Sequence, residues 1–433
     1  MQIFKQNIKY AAVFLITVIL LTGWLVLAAM IPQSAIQENV LESAEYLCDG
    51  ELFGTVVEGV EGSKIDRYAD SILLAIAYQY DSGHPLESVM RSSYYYSKYQ
   101  NENENLLDAV TEGFGPNQQY LRYWHGSNVI VRPLLLVFNI QQIYVLNGIL
   151  LAALAIWLLC ILLRKKAFVP AMGIAAGLVM TASWFVPLSL EYTWTYLVML
   201  AVSVISVKLA YAGKWNRMGI LFLLSGMVTN YLDFLTTETL TLLIPLLLVL
   251  WVDIHENEQK PIAHTAKKAG KAILVWTMGY VGMWMMKWLL AAVVLQENVM
   301  PYVAGHIQER IGGDIGIGLW RYVTGAIVRN AKCLFPLEYG TAGLLAAIIL
   351  LLLASYVGYV YHKRQINKGR IMMYLLIGLI TYISYIVFHN HSYLHCFFTY
   401  RAQMATIAAL VMILEELTEW RWLIHGNVRK TKS

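Results

Sequence analysis

The sequence predicts an all-α polytopic membrane protein with about ten transmembrane helices and a long first outer loop. Hydrophobic residues make up 58% of its 433 residues and charged residues only 14%, against the ~25% of charged residues usual in soluble domains. Several apolar runs approach the ~20 residues needed to cross a bilayer. They are too long and too continuous for barrel strands, so the predicted spans are helices, which pair their backbone amides internally.

Ten apolar segments are candidate spans, and the fifth is the shortest. They lie at residues 10–31, 140–163, 168–187, 192–211, 218–230, 239–253, 272–295, 341–361, 371–389 and 398–414. The first segment is longer than the ~7–15 apolar residues of a signal-peptide core, so we expect it to remain as an anchor. The predicted organisation is a single membrane domain, 1–433.

Lysine and arginine accumulate on one side of the predicted bundle. They lie at positions 5, 9, 164–166, 214, 217, 260, 267, 268, 271, 363, 364, 368, 370, 429, 430 and 432. The opposite short connections, 188–191, 231–238 and 390–397, contain none. Because basic residues mark the cytoplasmic side, we expect a cell-membrane protein with both termini inside and residues 415–433 as a cytoplasmic tail. The net charge of +4 then comes from these anchors, and no nucleic-acid partner is expected.

The first outer loop, residues 32–128, is acidic. It holds 15 of the 28 Asp and Glu residues of the chain and five basic residues, and we expect most of these acids to be solvated. Residues 35–47 and 66–80 have the periodicity of amphipathic helices, so both are expected along the membrane surface, with their apolar sides toward lipid or protein. A membrane protein with so many carboxylates outside is expected to handle a polar substrate there.

Asp66 and Asp70 lie four residues apart in the second of these helices, which puts both carboxylates on one face. A shared divalent cation, or a raised pKa on one carboxyl group, would relieve their repulsion. Either arrangement suits chemistry on a hydroxyl group, with one carboxylate as general base. The alternative is that both are ordinary first-turn acids favoured by the helix dipole. Asp66 and Asp70 are therefore the candidate catalytic and metal-binding residues.

Trp124, His125 and Arg132 gather near the outer end of the second span. Arg132 precedes Pro133, a residue that suits the first turn of a helix, and this places Arg132 at the outer entrance. Together these side chains could bind a phosphate through charge-assisted hydrogen bonds and a sugar ring through stacking. Aromatic anchoring at the membrane interface is the alternative, and for Trp124 alone it is favoured.

Asp233 and Lys287 are charged residues beside or within predicted spans. Asp233 follows the short fifth span, so we expect it to line a wet cavity; capping a helix that starts near Leu235 is the alternative. Lys287 lies about eight residues before the outer end of the seventh span, which is ~12 Å at helical rise. We expect it to point inward toward an anion, with pairing to Asp233 or another buried acid as the alternative.

The outer end of the ninth span contains His389, His391 and His395, followed by Arg401. The three histidines could ligate a metal if the backbone turned suitably, although their spacing is weak evidence. Arg401 lies inside the first turn of a span, where a charge is costly, so an anionic partner is expected. A lipid-linked phosphate is one such partner, and Asp233 or Glu238 is the alternative.

The second outer loop, residues 296–340, contains a glycine-rich run that does not match a phosphate-binding loop. We interpret this loop as a mobile lid. Cys48, Cys333 and Cys396 are all predicted on the outer side, and Cys160 lies inside a span. No pair has the spacing of a zinc or redox motif. We expect unpaired thiols, with a Cys48–Cys333 bridge as the alternative.

The predicted arrangement resembles the GT-C superfamily of integral membrane glycosyltransferases. It consists of one anchor, a long outer loop with two acids in surface helices, and a bundle with polar residues at its outer rim. Local sequences also look like an uncharacterised group of bacterial multi-span proteins of this kind, over nearly the whole chain. They are Ile65-Asp66-Arg-Tyr-Ala-Asp70-Ser, Arg122-Tyr-Trp-His125-Gly, Arg132-Pro133-Leu, Tyr231-Leu-Asp233-Phe-Leu-Thr, and His391-Ser-Tyr-Leu-His395 through Tyr400-Arg401.

The resemblance implies transfer of a sugar from a polyprenyl-phosphate carrier to a glycan or other cell-envelope acceptor on the outer face. Asp66 or Asp70 would take the acceptor proton or hold a metal, and Asp233 would orient sugar hydroxyls. The carrier phosphate would be received by cationic side chains, namely Arg132, Arg401 and Lys287. Peptide glycosylation is not expected, because the chain lacks the Trp-Trp-Asp-Tyr-Gly motif of oligosaccharyltransferases and the adjacent Asp-Glu pair of protein mannosyltransferases.

Three other functions are weighed against this one. A transporter or flippase of a lipid-linked or polar envelope precursor is the main alternative, although transporters place their charges near the bilayer midplane. An acyltransferase with a membrane histidine is encouraged by His391 and His395. A structural assembly factor is the last alternative.

The glycosyltransferase hypothesis makes a geometric prediction. Asp66 or Asp70 should surround one outward-opening cavity together with Asp233, Arg132 and Arg401. A transporter would instead have a central pathway.

Overall fold

The computed structural model of the protein describes residues 2–312, 316–337, 339–361 and 366–417. These residues form helices, and none of them belongs to a β-strand beyond two isolated bridges. The predicted all-α class is therefore confirmed. The α-helices, numbered in chain order, are α1 (Gln2–Ala29), α2 (Gln33–Cys48), α3 (Arg67–Tyr78), α4 (Pro85–Arg91), α5 (Glu102–Thr111), α6 (Asn128–Leu134), α7 (Ile140–Arg164), α8 (Phe168–Met180), α9 (Leu190–Tyr211), α10 (Met218–Leu232), α11 (Leu240–Glu256), α12 (Ile262–Leu295), α13 (Met300–Gly312), α14 (Leu319–Lys332), α15 (Gly340–Tyr361), α16 (Lys368–Val387), α17 (His389–Leu394), α18 (Cys396–Thr399) and α19 (Met404–Leu417).

Each predicted span coincides at least partly with one of these helices. Within the described ranges, six helical stretches are long and apolar enough to cross a membrane. They are Gln6–Ala29, Ile140–Arg164, Leu190–Tyr211, Ile262–Leu295, Lys368–Val387 and Cys396–Leu417. The protein is therefore an all-α membrane protein, and the number of ten crossings stays a prediction.

Helix α11 lies at the centre of the bundle, where nearly all of its side chains are buried. It packs against α9, and α10 packs against α12. Two glycines allow this second pair to approach closely. A Cβ atom on Gly226 would lie 2.1 Å from the carbonyl oxygen of Trp276, and one on Gly279 would lie 2.4 Å from that of Leu223. Small residues at helix contacts are the usual way in which membrane helices approach each other.

The first outer loop folds into α2 to α6 and covers one end of the bundle. Helix α2 buries Ile36, Val40 and Leu47 against protein, as its periodicity predicts. Helix α3 was predicted to be amphipathic and to lie along the membrane surface. Its residues Asp70 to Tyr78 are all buried, so it lies inside the folded first outer loop instead. Its neighbours α2, α5, α6 and α9 cover it on several sides.

One expectation for the exit of this loop is corrected. Pro133 does not lie in the first turn of a helix; it lies within the short helix α6, and α7 begins at Ile140, as the predicted span does, after an Asn139 cap. Cys48 and Cys333 are both free thiols, which agrees with the expectation and not with the alternative of a bridge.

The second outer loop contains α13 and α14, and α14 packs against α17. Its interpretation as a mobile lid stays a prediction, and Gly313 and Asp314 lie outside the described residues. The same is true of Lys363 and Arg364, and of residues 418–433 in the predicted cytoplasmic tail. The cytoplasmic location of both termini stays a prediction as well.

Candidate functional site

A cavity of about 360 Å³ lies where the first outer loop meets the ends of α9, α10 and the α17–α18 segment. Its walls combine acidic, basic and aromatic side chains. They are Phe53, Asp66, Tyr68, Ala69, Ile72, Leu73, Tyr120, Arg122, His125, Glu191, Phe234, His391, His395 and Phe398. The cavity therefore lies at one end of the helix bundle and not at its middle.

Asp66 is the acid that the first outer loop contributes to this cavity. It precedes α3 and caps it, because its Oδ1 accepts a hydrogen bond of 2.9 Å from the backbone N–H of Ala69. The Tyr192 hydroxyl donates to Oδ2 over 3.4 Å. Burial raises the pKa of Asp66 to about 6, although hydrogen bonds from Ala69, Glu191 and Tyr192 oppose the rise. Asp66 can therefore change its protonation state near neutral pH.

Glu191 is a second acid in the cavity and is not among the residues predicted from the sequence. It lies in the first turn of α9 and is 7% exposed. Its carboxyl group is hydrogen-bonded to that of Asp66. Because a carboxylate can only accept, such a bond needs a proton on one of the two groups. The pair is thus built to hold one proton beside the cavity.

Asp70 lies behind the cavity and does not share a site with Asp66. It is fully buried, and its oxygens accept hydrogen bonds from the Tyr144 hydroxyl (2.5 Å), the Ser189 hydroxyl (3.2 Å) and the Leu190 backbone N–H (2.9 Å). Burial raises its pKa to about 7. Leu190 is the first residue of α9, so Asp70 holds the N-terminus of the helix that carries Glu191. Its environment is that of a positioning residue.

A divalent cation shared by Asp66 and Asp70 does not fit this geometry, since the Asp70 oxygens are taken by neighbouring donors. In the part of the chain that the structure describes, no three His, Cys, Asp or Glu side chains group as metal ligands. Asp66 and Glu191 are the two carboxyl groups that face the cavity together. Mg²⁺ often takes only one or two protein carboxylates when a substrate phosphate completes its shell. These two residues could therefore hold such an ion.

Arg122 supplies the positive charge of the cavity. Its guanidinium lies over the Tyr120 ring at 4.4 Å and near the Tyr123 ring at 5.2 Å. It donates 2.9 Å to the Tyr120 hydroxyl, while its Nε has no hydrogen-bond partner. Among the described residues, no carboxylate oxygen is recorded within 4.0 Å of Arg122. The cavity thus contains an arginine without an acidic partner.

His125 lines the cavity, as predicted, in a strained backbone conformation. Its φ of +52° lies in the left-handed region, which is costly for a residue with a side chain. The next residue, Gly126, has no room for a side chain, because a Cβ would lie 2.3 Å from the Tyr231 ring. Burial lowers the pKa of His125 to about 3. A neutral imidazole therefore faces the cavity, with Nε2 bound to the Tyr120 carbonyl oxygen.

Trp124 and Lys287 lie away from the cavity, in the packing between α12 and the first outer loop. The Trp124 indole donates to the Met283 carbonyl oxygen over 2.9 Å. Lys287 is fully buried and donates to the carbonyl oxygens of Val89 and Met90 at 2.8 and 3.0 Å. The expected partner of Lys287, an anion or a buried acid, is thus replaced by the C-terminal end of α4.

Arg132 also lies away from the cavity. It is fully buried, and its guanidinium donates to the carbonyl oxygens of Ala77, Ile31 (2.5 Å) and Tyr80 (3.4 Å). These carbonyls belong to the end of α3 and to the connection between α1 and α2. Arg132 therefore connects the first outer loop to the bundle, and the prediction that it lines the outer entrance is wrong.

Asp233 occupies a turn and does not line the cavity. It accepts hydrogen bonds from the Thr195 hydroxyl (2.9 Å), the Thr236 hydroxyl (2.6 Å) and the Leu235 backbone N–H (2.9 Å). Leu235 has a φ of +69°, and this turn presents the neighbouring Phe234 ring to the cavity. Asp233 thus stabilises the local backbone, which agrees in kind with the alternative of a capping role.

His391 and His395 line the cavity, whereas His389 packs against the Tyr322 ring outside it. The His391 and His395 rings lie 4.9 Å apart, and His391 Nε2 is 2.8 Å from the Leu235 carbonyl oxygen. The predicted three-histidine group is therefore reduced to two.

Arg401 lies one layer behind the cavity and is almost fully buried. Its guanidinium lies 4.8 Å from the Tyr192 ring and donates 2.6 Å to the Gly62 carbonyl oxygen. Tyr192 in turn contacts Asp66. Arg401 thus supports the loop and the tyrosine around Asp66 without facing the cavity.

The expected convergence of charges is therefore only partly met. Asp66, His125, His391 and His395 surround one cavity, while Asp70, Trp124, Arg132, Asp233, Lys287 and Arg401 do not line it. Arg122, Glu191 and Phe234 take part although they were not selected. Comparison with protein-family models, with curated proteins and with solved structures gives no match for this chain.

Proposed function

We propose that the protein is a membrane glycosyltransferase of the GT-C type. It would move a sugar from a polyprenyl-phosphate carrier to a hydroxyl of a cell-envelope acceptor on the outer face. The observation that carries the proposal is the hydrogen-bonded Asp66–Glu191 pair, which faces a cavity together with an arginine that has no acidic partner.

Asp66 is the proposed general base. Its raised pKa of about 6 lies close to the range where a carboxylate both ionises and accepts a proton effectively at neutral pH. In the proposed step, Asp66 takes the proton of the acceptor hydroxyl. The oxygen of this hydroxyl attacks the anomeric carbon of the sugar. The bond from this carbon to the phosphate oxygen breaks, and polyprenyl phosphate leaves. Glu191 keeps the Asp66 carboxyl oriented.

Arg122 is the proposed ligand of the carrier phosphate. Arginine binds phosphate oxygens through paired, charge-assisted hydrogen bonds. The free Nε of Arg122 and the absence of a nearby carboxylate leave this guanidinium available. This assignment replaces Arg132, Arg401 and Lys287, because these three residues donate to backbone carbonyl oxygens and do not line the cavity.

Aromatic rings support a sugar as the transferred group. Phe53, Tyr68, Tyr120, Phe234 and Phe398 form much of the wall, and such rings can cover the apolar face of a sugar ring. A divalent cation held by Asp66 and Glu191, in place of the proton that they share, stays as the alternative form of the proposal. It would neutralise charge on the leaving phosphate.

The position of the cavity favours an enzyme over the alternatives. Asp66 and Glu191 lie at the ends of helices, whereas a transporter site is expected near the middle of the membrane. The rings of His391 and His395 stand side by side in the same wall, which suits contacts to a substrate.

The test uses the purified full-length chain in lipid nanodiscs, with Asp66→Asn as the central variant. Asparagine is as good a helix N-cap as aspartate, so this change should keep the hydrogen bond to Ala69 while removing the base. We expect the rate of sugar release from polyprenyl-phosphate donors to fall about 10²–10⁴-fold, the usual contribution of a general base. Asp81→Asn is the matched control, since Asp81 is an exposed acid of the same loop.

Full activity of Asp66→Asn would overturn the proposed role of Asp66. Release that is equally slow in both variants and the wild type, with transbilayer movement of the lipid carrier when all three are placed in sealed liposomes, would support the flippase instead. Addition and removal of Mg²⁺ or Mn²⁺ in the same assay tests the cation.

A further inference from the structure

Cys333 and Cys396 lie beside a second cavity, which adjoins the Asp66 cavity at the 53–61 segment. Cys333 ends α14 and Cys396 begins α18. Both line this cavity of about 410 Å³, together with Arg329 and Lys332. The two thiols interact electrostatically, and α14 contacts α18. Two cysteines that are 63 residues apart in sequence are thus brought to one cavity by the fold.

The surrounding structure holds the two thiols in place. Asn330, one turn before Cys333, is fully buried and makes three hydrogen bonds across the same helix contact. Its side chain donates 2.8 Å to the Ser392 carbonyl oxygen and accepts 2.7 Å from the Thr399 hydroxyl, and its own carbonyl oxygen accepts 2.8 Å from Gln403. These bonds fix the end of α14 against α17 and α18, so the cavity that both cysteines line is held between the same helices.

Arg329 gives the pair a chemical asymmetry. Its guanidinium is hydrogen-bonded to Cys396 and lies 4.5 Å from the Tyr393 ring. A cation beside a sulfur favours the thiolate, which is the form that attacks disulfides. Cys396 is therefore the attacking thiol, and Cys333 is the one that resolves the intermediate.

We propose that Cys333 and Cys396 form a reversible disulfide that ties α14 to α18. The oxidant is a disulfide, carried by a small molecule or by a thiol oxidoreductase outside the cell. The Cys396 thiolate attacks this disulfide, whose S–S bond breaks to release one thiolate and leave a mixed disulfide. Cys333 then loses its proton and attacks the Cys396 sulfur, and the second thiolate leaves. Two thiols are oxidised, and one disulfide is reduced to two thiols.

This inference is independent of the proposed glycosyltransferase. The cysteine pair adjoins the first cavity, since His395, the neighbour of Cys396, lines that cavity. Disulfides persist in oxidising compartments outside the cytoplasm. The predicted outer location of Cys333 and Cys396 agrees with this requirement. Cys48, the third cysteine predicted on the outer side, lies elsewhere, near the acids Asp49, Glu104 and Asp108.

The experiment uses the full-length chain in detergent micelles with Cys48→Ser and Cys160→Ser, which leaves only the two thiols. The reduced protein is incubated with oxidised glutathione, quenched with N-ethylmaleimide and weighed by mass spectrometry. We expect the mass to fall by two hydrogens with no maleimide added, and a linked peptide pair containing Cys333 and Cys396. Two maleimide groups, or stable glutathione adducts on both thiols, would overturn the proposal.

Two single variants test the order of events. In Cys333→Ser the reaction should stop at one glutathione on Cys396, because no resolving thiol is present. In Cys396→Ser glutathione should add to Cys333 at least about tenfold more slowly, since a neutral thiol is a poor nucleophile. Equal rates in the two variants would contradict the assigned order, and the peptide link in the parent protein is measured independently of either variant's folding.

Discussion

The two ends of the helix bundle differ in the partners of their acidic side chains. The acids pair with Lys or Arg at one end and with hydroxyl and N–H groups at the other. At the lysine-rich end, the fully buried Asp253 accepts a hydrogen bond of 2.6 Å from Lys268 and another from Thr265, and Arg370 pairs with Glu416 at 3.3 Å. At the cavity end, three buried acids accept hydrogen bonds from hydroxyl and N–H groups, and in the described ranges no Lys or Arg nitrogen lies within 4.0 Å of them. They are Asp66, Asp70 and Asp233.

The cations of the cavity end are held apart from these acids as well. Arg132, Lys287 and Arg401 all donate to backbone carbonyl oxygens. Ion pairs at the lysine-rich end neutralise charge and stabilise the fold. Acids without a counterion keep raised pKa values, which is the property that proton transfer needs. The contrast agrees with the proposal that the cavity end takes part in proton transfer, and Arg132, Lys287 and Arg401 connect segments of the chain there.

The largest expected effect distinguishes a connecting arginine from a substrate ligand. Arg132→Ala would leave the carbonyls of Ala77, Ile31 and Tyr80 without a donor. Each buried group left unpaired costs roughly 1–3 kcal/mol, so we expect at least ~3 kcal/mol of destabilisation and a strongly lowered yield of folded protein. Thermal unfolding in detergent measures this effect.

Arg91→Ala is the control for that variant, because Arg91 is exposed and pairs with Glu297 on the surface. It should change stability by less than ~1 kcal/mol. A stable, well-folded Arg132→Ala protein that had lost only activity would instead make Arg132 a substrate ligand and break the contrast between the two ends.

A smaller effect is expected at the lysine-rich end. Asp253→Asn removes the charge that Lys268 pairs with, but Lys268 is partly exposed and can turn to water. We expect a loss of about 1–3 kcal/mol in unfolding free energy, below the 3–5 kcal/mol of a fully buried pair. Sugar release per folded molecule should stay within about twofold of the wild type. A large loss of that activity without loss of stability would show that Asp253 takes part in sugar release.

The sequence predicted the helices well and the roles of charges unevenly. Long apolar runs, and the periodicity of α2, depend on local patterns, and the structure contains these helices. Asp66 was predicted because a pair of acids on one helix face is visible in the sequence. That Asp70 turns toward the N-terminus of α9 depends on a contact between residues 120 positions apart, which no local pattern contains.

The cations were misjudged for a related reason. An arginine in an apolar context indicates that a partner exists, but the sequence does not tell a phosphate from a backbone carbonyl. Arg401 and Lys287 show this ambiguity. Glu191 was missed because an acid in the first turn of a span has an ordinary explanation in the helix dipole. An acid within the connection 188–191, which contains no Lys or Arg, was the available signal.

Direct measurement of the protonation of Asp66 tests the central claim, that this acid is buried without a counterion so that it can exchange a proton near neutral pH. The carboxyl C=O absorption of the wild type minus that of Asp66→Asn can be followed by infrared spectroscopy from about pH 4 to pH 9. Because burial raises the pKa of Asp66 to about 6, we predict that the protonated band is full at the acidic end, falls by half near pH 6 and is lost above pH 8. A midpoint at or below pH 4, the value of an ordinary aspartate, would contradict the account.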